Sequence, residues 1–305
     1  MRWLFIIDPI SGLNPDTDTT YSIMREAYNR EVVIYITEIE NLFFADGIKV
    51  FARRIEFEDR YIVRDREIHF INDFDLIHMR KEPPYNLAFH YSTNLLSLAT
   101  RPVVNHPQAL RDFNEKLIIL KFPDYIPKTI VSTDEKDIYR FIKEHDKFVV
   151  IKALDSFQGK IIKKIHAKDP SVKNEISRFT KEGSTAIMVQ EYIANIINGD
   201  KRILVLGGEI LGAVNRIPAK GSYLSNFGQG GAGHRAVITE KERGMVEGMR
   251  SFFIKHGIHF AGLDVIDDYL TEINITCPTG VQHINRLENT GLERKIVDYY
   301  IQLIS

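Results

Sequence analysis

The sequence predicts an α/β protein of three units, and three observations carry that prediction. Short apolar runs of strand length, WLFII at 3–7, VVIYIT at 32–37, KFVVIKA at 147–153 and AIMVQEYI at 186–193, are separated by polar stretches with helical spacing. Proline breaks the pattern at Pro83-Pro84 and Pro123, where neither a helix nor a central strand continues. Two hairpin signals then crowd into the last third, one around Gly207-Gly208 and one around Asp267-Asp268.

The elements follow in order. WLFII and VVIYIT flank a helix around Tyr21 to Asn29, a βαβ-like opening, and FDLIHMR at 74–80 adds a strand that ends in charge. Residues 87–98 and 108–122 read as helices, the second stopping before Pro123, so the first unit covers 1–122. The second unit, 123–194, starts with the strand YIPKTIV. Ser132 or Thr133 then caps an acidic-first helix to about His145, and KFVVIKA, KIIKKI, a helix around 171–182 and AIMVQEYI complete it. The third unit, 195–305, opens with the hairpin KRILVL and EILGAVNR. The glycine-dense stretch 219–233 follows as a mobile loop, then a helix with the capping box Thr239 and Glu242 that stops at Gly257. A last helix, 292–304, carries Leu292, Ile296, Tyr300 and Leu303 on one stripe that should pack on the third unit.

Composition excludes several classes. The chain has 305 residues, 44% hydrophobic and 27% charged, enough for two or three cored domains. A net charge of -1 gives no global reason to expect nucleic acid or an anionic membrane as partner. One cysteine, Cys277, rules out an intrachain disulfide and suits a reducing, cytoplasmic compartment. The apolar run before Asp8 is too short for a signal-peptide core, and no stretch reaches membrane-spanning length.

Chemistry concentrates in GLDVIDDYLTEINIT, residues 262–276. Leu263, Val265, Ile273 and Ile275 fall on odd positions, whereas Asp264, Glu272 and Asn274 fall on even ones. Side chains alternate along a strand, so a hairpin turning through Asp267, Asp268 and Tyr269 places Asp264 opposite Glu272, with Asn274 on the same face. A two-residue loop would split both sets between faces. Two carboxylates and an amide oxygen suit a hard divalent cation that also expects a phosphate. The alternative is a solvated hairpin face with no ligand.

Other charged residues are weaker signals on their own. Lys116 lies in the predicted helix NEKLIIL and Lys152 ends the strand FVVIK; the alternatives are a pair of phosphate-directed charges and snorkelling edge residues. Arg202 and Arg216, at the ends of the 201–216 hairpin, are either solvent-exposed or bidentate anion ligands.

The order of these pieces resembles the ATP-grasp ligases, and most closely the bacterial glutathione synthetases. The resemblance spans the chain: DPISGLN at 8–14, MRKEPPY at 79–85, NHPQALRDFNEKL at 105–117, NGDKRILV at 198–205, NRIP at 215–218 and FAGLDVIDDYLTEINITCPTG at 260–280. It implies an ATP-grasp fold with an N-terminal pre-ATP-grasp α/β domain, a central lid domain and a C-terminal catalytic domain. Lys116 and Lys152 would contact ATP, and Gln190, Glu191, Tyr192 and Ile193 would form the hinge that reads adenine. Asp264, Glu272 and Asn274 would hold two Mg²⁺ ions, with Mn²⁺ as a substitute. Arg202 and Arg216 would bind the transferred phosphate and the substrate carboxylate, with Asn274 beside them, and Arg80 would help hold the dipeptide. The implied reaction activates γ-glutamylcysteine as an acyl phosphate and joins it to glycine, in a homotetramer. The 219–233 loop and a smaller flap at 155–160 are the expected lids.

The chain also departs from the family. The flap reads DSFQGK, keeping only Gly159 of a glycine-rich pattern, and the large loop closes with Gly230, Gly231 and Ala232 where relatives often have arginine at the last place. Cys277 stands where many relatives have serine, and it reads as a small residue of the substrate wall because no histidine partner is evident. These departures keep two further readings open: a ligase with a different acceptor, and a nucleotide-binding homologue with little turnover.

Overall fold

The buried run at the amino terminus becomes the centre of a mixed sheet, parallel to the strands on both its sides. The computed structural model describes residues 1–155, 162–221, 224–225, 227 and 230–305. Strand β1 (Arg2–Ile6), helix α1 (Thr19–Asn29) and strand β2 (Val33–Thr37) form a βαβ unit with β1 and β2 parallel. Asp18 caps α1 by accepting from the Tyr21 N–H. Strands β3 (Leu42–Phe44), β4 (Ile48–Glu56), β5 (Ile62–Phe70), β6 (Leu76–Met79) and β7 (Val103–Val104) complete a sheet of order β3-β4-β2-β1-β6-β7, with β5 on β4. The sequence pattern did not predict β3 to β5. Strand β5, IVRDREIHF, is polar on both faces and mostly exposed, so it lacks the alternation that marks a half-buried strand.

Helix α2 (Leu87–Leu96) matches expectation, but the helix expected over 108–122 does not form as one piece. Helix α3 (Pro107–Asp112) ends at Phe113, and a 3₁₀ turn follows only at Ile118–Lys121. The break is local chemistry. Asn114 Oδ1 accepts from the N–H groups of Lys116 and Leu117, a side-chain turn that competes with helix. Lys116 therefore sits in an irregular connection, not on a helix.

The second sheet has the order β10-β9-β11-β8, formed by β8 (Thr129–Ser132), β9 (Phe148–Ala153), β10 (Ile162–His166) and β11 (Ile187–Glu191). Helices α4 (Glu135–His145) and α5 (Val172–Thr180) bury Ile138, Ile142, Ile176 and Phe179 against Val149, Ile151 and Val189. Asp134, rather than Ser132 or Thr133, caps α4, accepting from the Lys136 and Asp137 N–H groups.

The third sheet, β14-β13-β12-β15-β16, holds the chemistry. Strands β12 (Asp200–Leu206) and β13 (Glu209–Ile217) meet at Gly207-Gly208, whose φ values of 58° and 82° need glycine at little strain. Strand β14 (Ala232–Arg235) pairs with β13, so the end of the predicted 219–233 loop is strand; Ala232 lies opposite Ile217. Helix α6 (Glu240–His256) begins in the predicted capping box and ends at Gly257 in the left-handed conformation. After it come β15 (Phe260–Ile266), β16 (Tyr269–Asn274), α7 (Val281–Glu288) and α8 (Leu292–Ile304).

Helix α8 corrects one expectation. Tyr300 packs edge-on against Trp3 and His78, with ring centroids at 6.3 and 4.9 Å, and Arg30 pairs with Asp298. Leu292 and Ile296 join one apolar cluster with Trp3, Phe5, Val214 and Ile284. The last helix thus bridges the first and third sheets, whereas the second sheet keeps a core of its own. Gly159, part of the small flap and part of the large loop lie outside the described residues.

Candidate active site

The hairpin β15–β16 brings Asp264 opposite Glu272 and Gly262 opposite Asn274. The turn that does so is shorter than expected. Ile266 pairs with Tyr269, leaving only Asp267 and Asp268 in the loop, both left-handed at φ 52° and 65°. Such a turn matches strand twist, and aspartate tolerates it. Parity survives because a bulge takes in one residue: Val265 faces Leu270 while Asp264 faces Glu272, so Thr271 is extra. Thr271 Oγ1 donates to the Asp264 carbonyl at 3.1 Å, fixing the bulge.

Arg202 and Arg216 are buried, which rules out the solvent-exposed reading. Arg202 Nε lies 2.5 Å from Asp264 Oδ1 and its Nη2 3.1 Å from Oδ2. Arg216 Nη2 reaches Asp264 Oδ1 at 2.9 Å and Asp200 Oδ2 at 2.6 Å. Gly262 makes this possible, since a Cβ there would stand 2.9 Å from Arg202 Cδ. Burial alone would raise the Asp264 carboxyl, but the two guanidiniums outweigh it and hold the group below the usual carboxylate range. Asp200 goes the other way: burial raises it against the pull of Arg216. Its Oδ2 also accepts from Ser225 Oγ at 2.8 Å, while Oδ1 has no partner among the described residues.

Asp200, Ser225 and Asp264 of this network line a cleft between the second and third sheets. Lys152, Gln190, Glu191, Tyr192 and Ile193 line it from the second sheet and its continuation, and Glu272 from the third. Lys152 is not an edge residue: β9 pairs on both sides, and Nζ lies 3.4 Å from the Thr271 carbonyl. Burial lowers its pKa, Glu272 opposes that, and Lys116 adds to it. Lys116 Nζ stands 3.7 Å from Glu272 Oε1, so both lysines converge on one carboxylate. Asn274 Nδ2 donates to the Gly262 carbonyl at 3.1 Å, which orients the amide.

Arg80 does not line this cleft. Its Nε donates to Thr20 Oγ1 at 3.0 Å and its Nη2 to the Pro278 carbonyl at 2.9 Å; Arg202 Nη1 holds the next carbonyl, Thr279, at 3.3 Å. Cys277 beside them has its thiol pushed up to about 12 by burial, so it stays protonated. Asp200 and Glu115 were missed from sequence. Asp200 sits two residues before Arg202 in NGDKRILV, and its partners Arg216 and Ser225 are distant in the chain. Glu115 gave no signal apart from its neighbour Lys116.

Comparison with known proteins divides the chain into two matched regions. Residues 1–111 match the family model described as prokaryotic glutathione synthetase, N-terminal domain, and 115–289 the one described as prokaryotic glutathione synthetase, ATP-grasp domain. The chain is 33% identical to a glutathione synthetase of Prochlorococcus marinus, covering 100% of both chains. It is 37% identical to one from Neisseria meningitidis serogroup A, covering 98% of both. A D-cycloserine synthetase structure aligns with a TM-score of 0.69 at 11% identity, over 99% of this chain and 100% of that one. A RimK-domain ATP-grasp structure from Sphaerobacter thermophilus aligns at 0.65 and 15%, over 99% and 100%. At those identities the structural likeness shows the fold, which is ATP-grasp.

Proposed function

The chain belongs to the prokaryotic glutathione synthetase family, ATP-grasp ligases, and from that premise we propose which of its residues carry the reaction. It is an ATP-dependent carboxylate-amine ligase that joins γ-glutamylcysteine to glycine. The observation that supports the assignment of roles is the single cleft that gathers the hinge 190–193, Lys152, Asp264 and Glu272.

A carboxylate resists attack by an amine, so the cysteinyl carboxylate first takes the terminal phosphoryl group of ATP. ADP leaves, and the acyl phosphate is then attacked by the glycine amine, which loses a proton as phosphate departs. Glu191 and Tyr192 donate their N–H groups to the Lys128 and Phe148 carbonyls, so the Ile193 N–H is the first hinge amide left to read adenine. Gln190, Glu191 and Tyr192 hold the strand end in place around it. Lys152 and Lys116 direct the phosphates. Arg202 and Arg216, preset by Asp264, stabilise charge on the transferred group and the substrate carboxylate, the preorganised electrostatics that phosphoryl transfer requires. Arg80, at the carboxyl end of β6, holds the loop 278–279 against which the dipeptide would lie.

The donor set fits Mg²⁺. Asp264 on β15 and Glu272 and Asn274 on β16 offer hard oxygens on one face of the hairpin, and the Nδ2 bond of Asn274 to Gly262 leaves Oδ1 as its other end. Two Mg²⁺ ions, when bound there, would neutralise phosphate charge; Mn²⁺ would substitute. Gly159 and the flap belong to the same proposal by family resemblance.

The domain limits 1–122, 123–194 and 195–305 are part of this reading, as are a homotetramer and a cytoplasmic location. A single cysteine supports the last, and no described helix is long and apolar enough to cross a membrane. Light scattering tests the assembly, and a concentration-independent monomer mass would refute it. The role assignment is tested by Glu272→Gln and Asp264→Asn, which should abolish Mg²⁺-dependent ADP formation while a non-hydrolysable ATP analogue still binds. Unchanged turnover in either variant would overturn it.

A further inference from the structure

Strand β16 lies at the edge of the third sheet, with β15 on one side only. An edge strand presents alternate N–H groups outward, and these need partners when they are not in water. One residue outside the sheet takes the Ile273 N–H and two N–H groups just past the strand's end. The Glu115 carbonyl accepts from the Ile273 N–H at 3.0 Å. Its carboxylate Oε1 then accepts from the Ile275 N–H at 2.7 Å, the Thr276 N–H at 2.9 Å and Thr276 Oγ1 at 2.8 Å. Asn105 Nδ2 holds the Ile275 carbonyl at 2.7 Å from another direction.

Glu115 thus stands in for a neighbouring strand. Fixing the peptide groups of 273 and 275 fixes the residues they flank. Side chains alternate, so Glu272 and Asn274 point to the opposite face, where Asp264 lies. The same segment reaches that face directly through Lys116 and Glu272, 3.7 Å apart. Asn114 Nδ2 also holds the Leu154 carbonyl at 3.0 Å, tying the exit of β9 to the same three residues.

We propose that Glu115 is a positioning residue for the ligation: its carboxylate, at the outer edge of β16, sets where Glu272 and Asn274 stand and so sets divalent-cation affinity. The inference rests on the assignment of Glu272 and Asn274 as cation ligands. Groups that orient ligands from behind typically carry about 10–100-fold in metal affinity or activity.

The test separates reach from charge. Glu115→Gln keeps an oxygen at the same distance without the charge, whereas Glu115→Asp keeps the charge and withdraws the oxygen by about one methylene. Binding of Mn²⁺ to each purified full-length protein with ADP present is followed by electron paramagnetic resonance of the free ion, with Glu272→Gln as control. The expected result is affinity within about threefold of wild type for Glu115→Gln and at least about tenfold weaker for Glu115→Asp. Glu115→Asp should also lower kcat while KM for γ-glutamylcysteine stays within about threefold, a split that general loss of structure would not give. Wild-type affinity in Glu115→Asp, or equal loss in both variants, overturns the proposal. Should Glu272→Gln bind Mn²⁺ like wild type, the cation assignment itself fails and takes this inference with it.

Discussion

Replacing Arg216 by methionine separates what this arginine does for the fold from what it does for the reaction. Its Nη2 serves two buried carboxylates, Asp200 at 2.6 Å and Asp264 at 2.9 Å. Breaking a buried ion pair by removing one partner costs about 3–5 kcal/mol, because the other charge is stranded. Asp264 keeps two contacts to Arg202, so its share is small. Among the described residues, Asp200 keeps the Ser225 hydroxyl as its side-chain partner, so most of the loss falls there. The expected destabilisation is therefore near the low end, about 3 kcal/mol. Adding Asp200→Asn removes the stranded charge and should return about 2 kcal/mol, a coupling that urea unfolding followed by circular dichroism measures. Activity should stay lost in both variants, since nothing replaces the guanidinium on the transferred phosphate. A single variant as stable as wild type, or a double variant less stable than the single, would refute this reasoning.

Three other perturbations have definite outcomes. Lys152→Met should cut kcat/KM for ATP by about 100–1,000-fold, the usual cost of one preorganised charge on a reacting group, while the thermal midpoint without nucleotide stays close to wild type. Asn105→Ala removes two bonds to the Phe260 and Ile275 carbonyls and two from the His259 and Phe260 N–H groups; at about 1 kcal/mol each, the loss should be about 4 kcal/mol by urea titration. Burial lowers His259 to about 4, whereas the unfolded ring titrates near 6.5, so the unfolded state binds more protons between those values. Stability is then full above about pH 6.5 and falls by about 2–3 kcal/mol as pH drops toward 4. His259→Phe should flatten that slope, and an unchanged slope would exclude His259 as its source.

Much of the third sheet is legible in the sequence because parity there is strict. Odd apolar and even polar residues at 263–265 and 272–275 specify which side chains share a face within each run. The turn itself was misread because parity fixes the relation of two runs modulo a bulge: a two-residue turn plus one extra residue at Thr271 gives the same faces as a three-residue loop. Lys116 illustrates a different limit. NEKLIIL has helical spacing, but Asn114 and Glu115 bond to groups just past the ends of β9 and β16 that are close only in the fold. Tertiary bonds won over local propensity. Asp200 stayed hidden for a related reason, since a lone aspartate before a strand reads as solvated until Arg216 and Ser225 are brought to it. Strand β5 lacks any one-sided burial to imprint alternation on the chain and β3 has only three residues, whereas β4 does alternate, with Ile48, Val50 and Ala52 buried, and was passed over.

The decisive experiment mixes the purified protein with Mg²⁺, ATP and γ-glutamylcysteine, with and without glycine, and quantifies ADP and the thiol product by mass. ADP released in step with glutathione, and only when glycine is present, is the expected result. Bound ATP with no ADP, or ADP whose release ignores glycine, would contradict the assignment of this cleft as the site where the peptide bond is made.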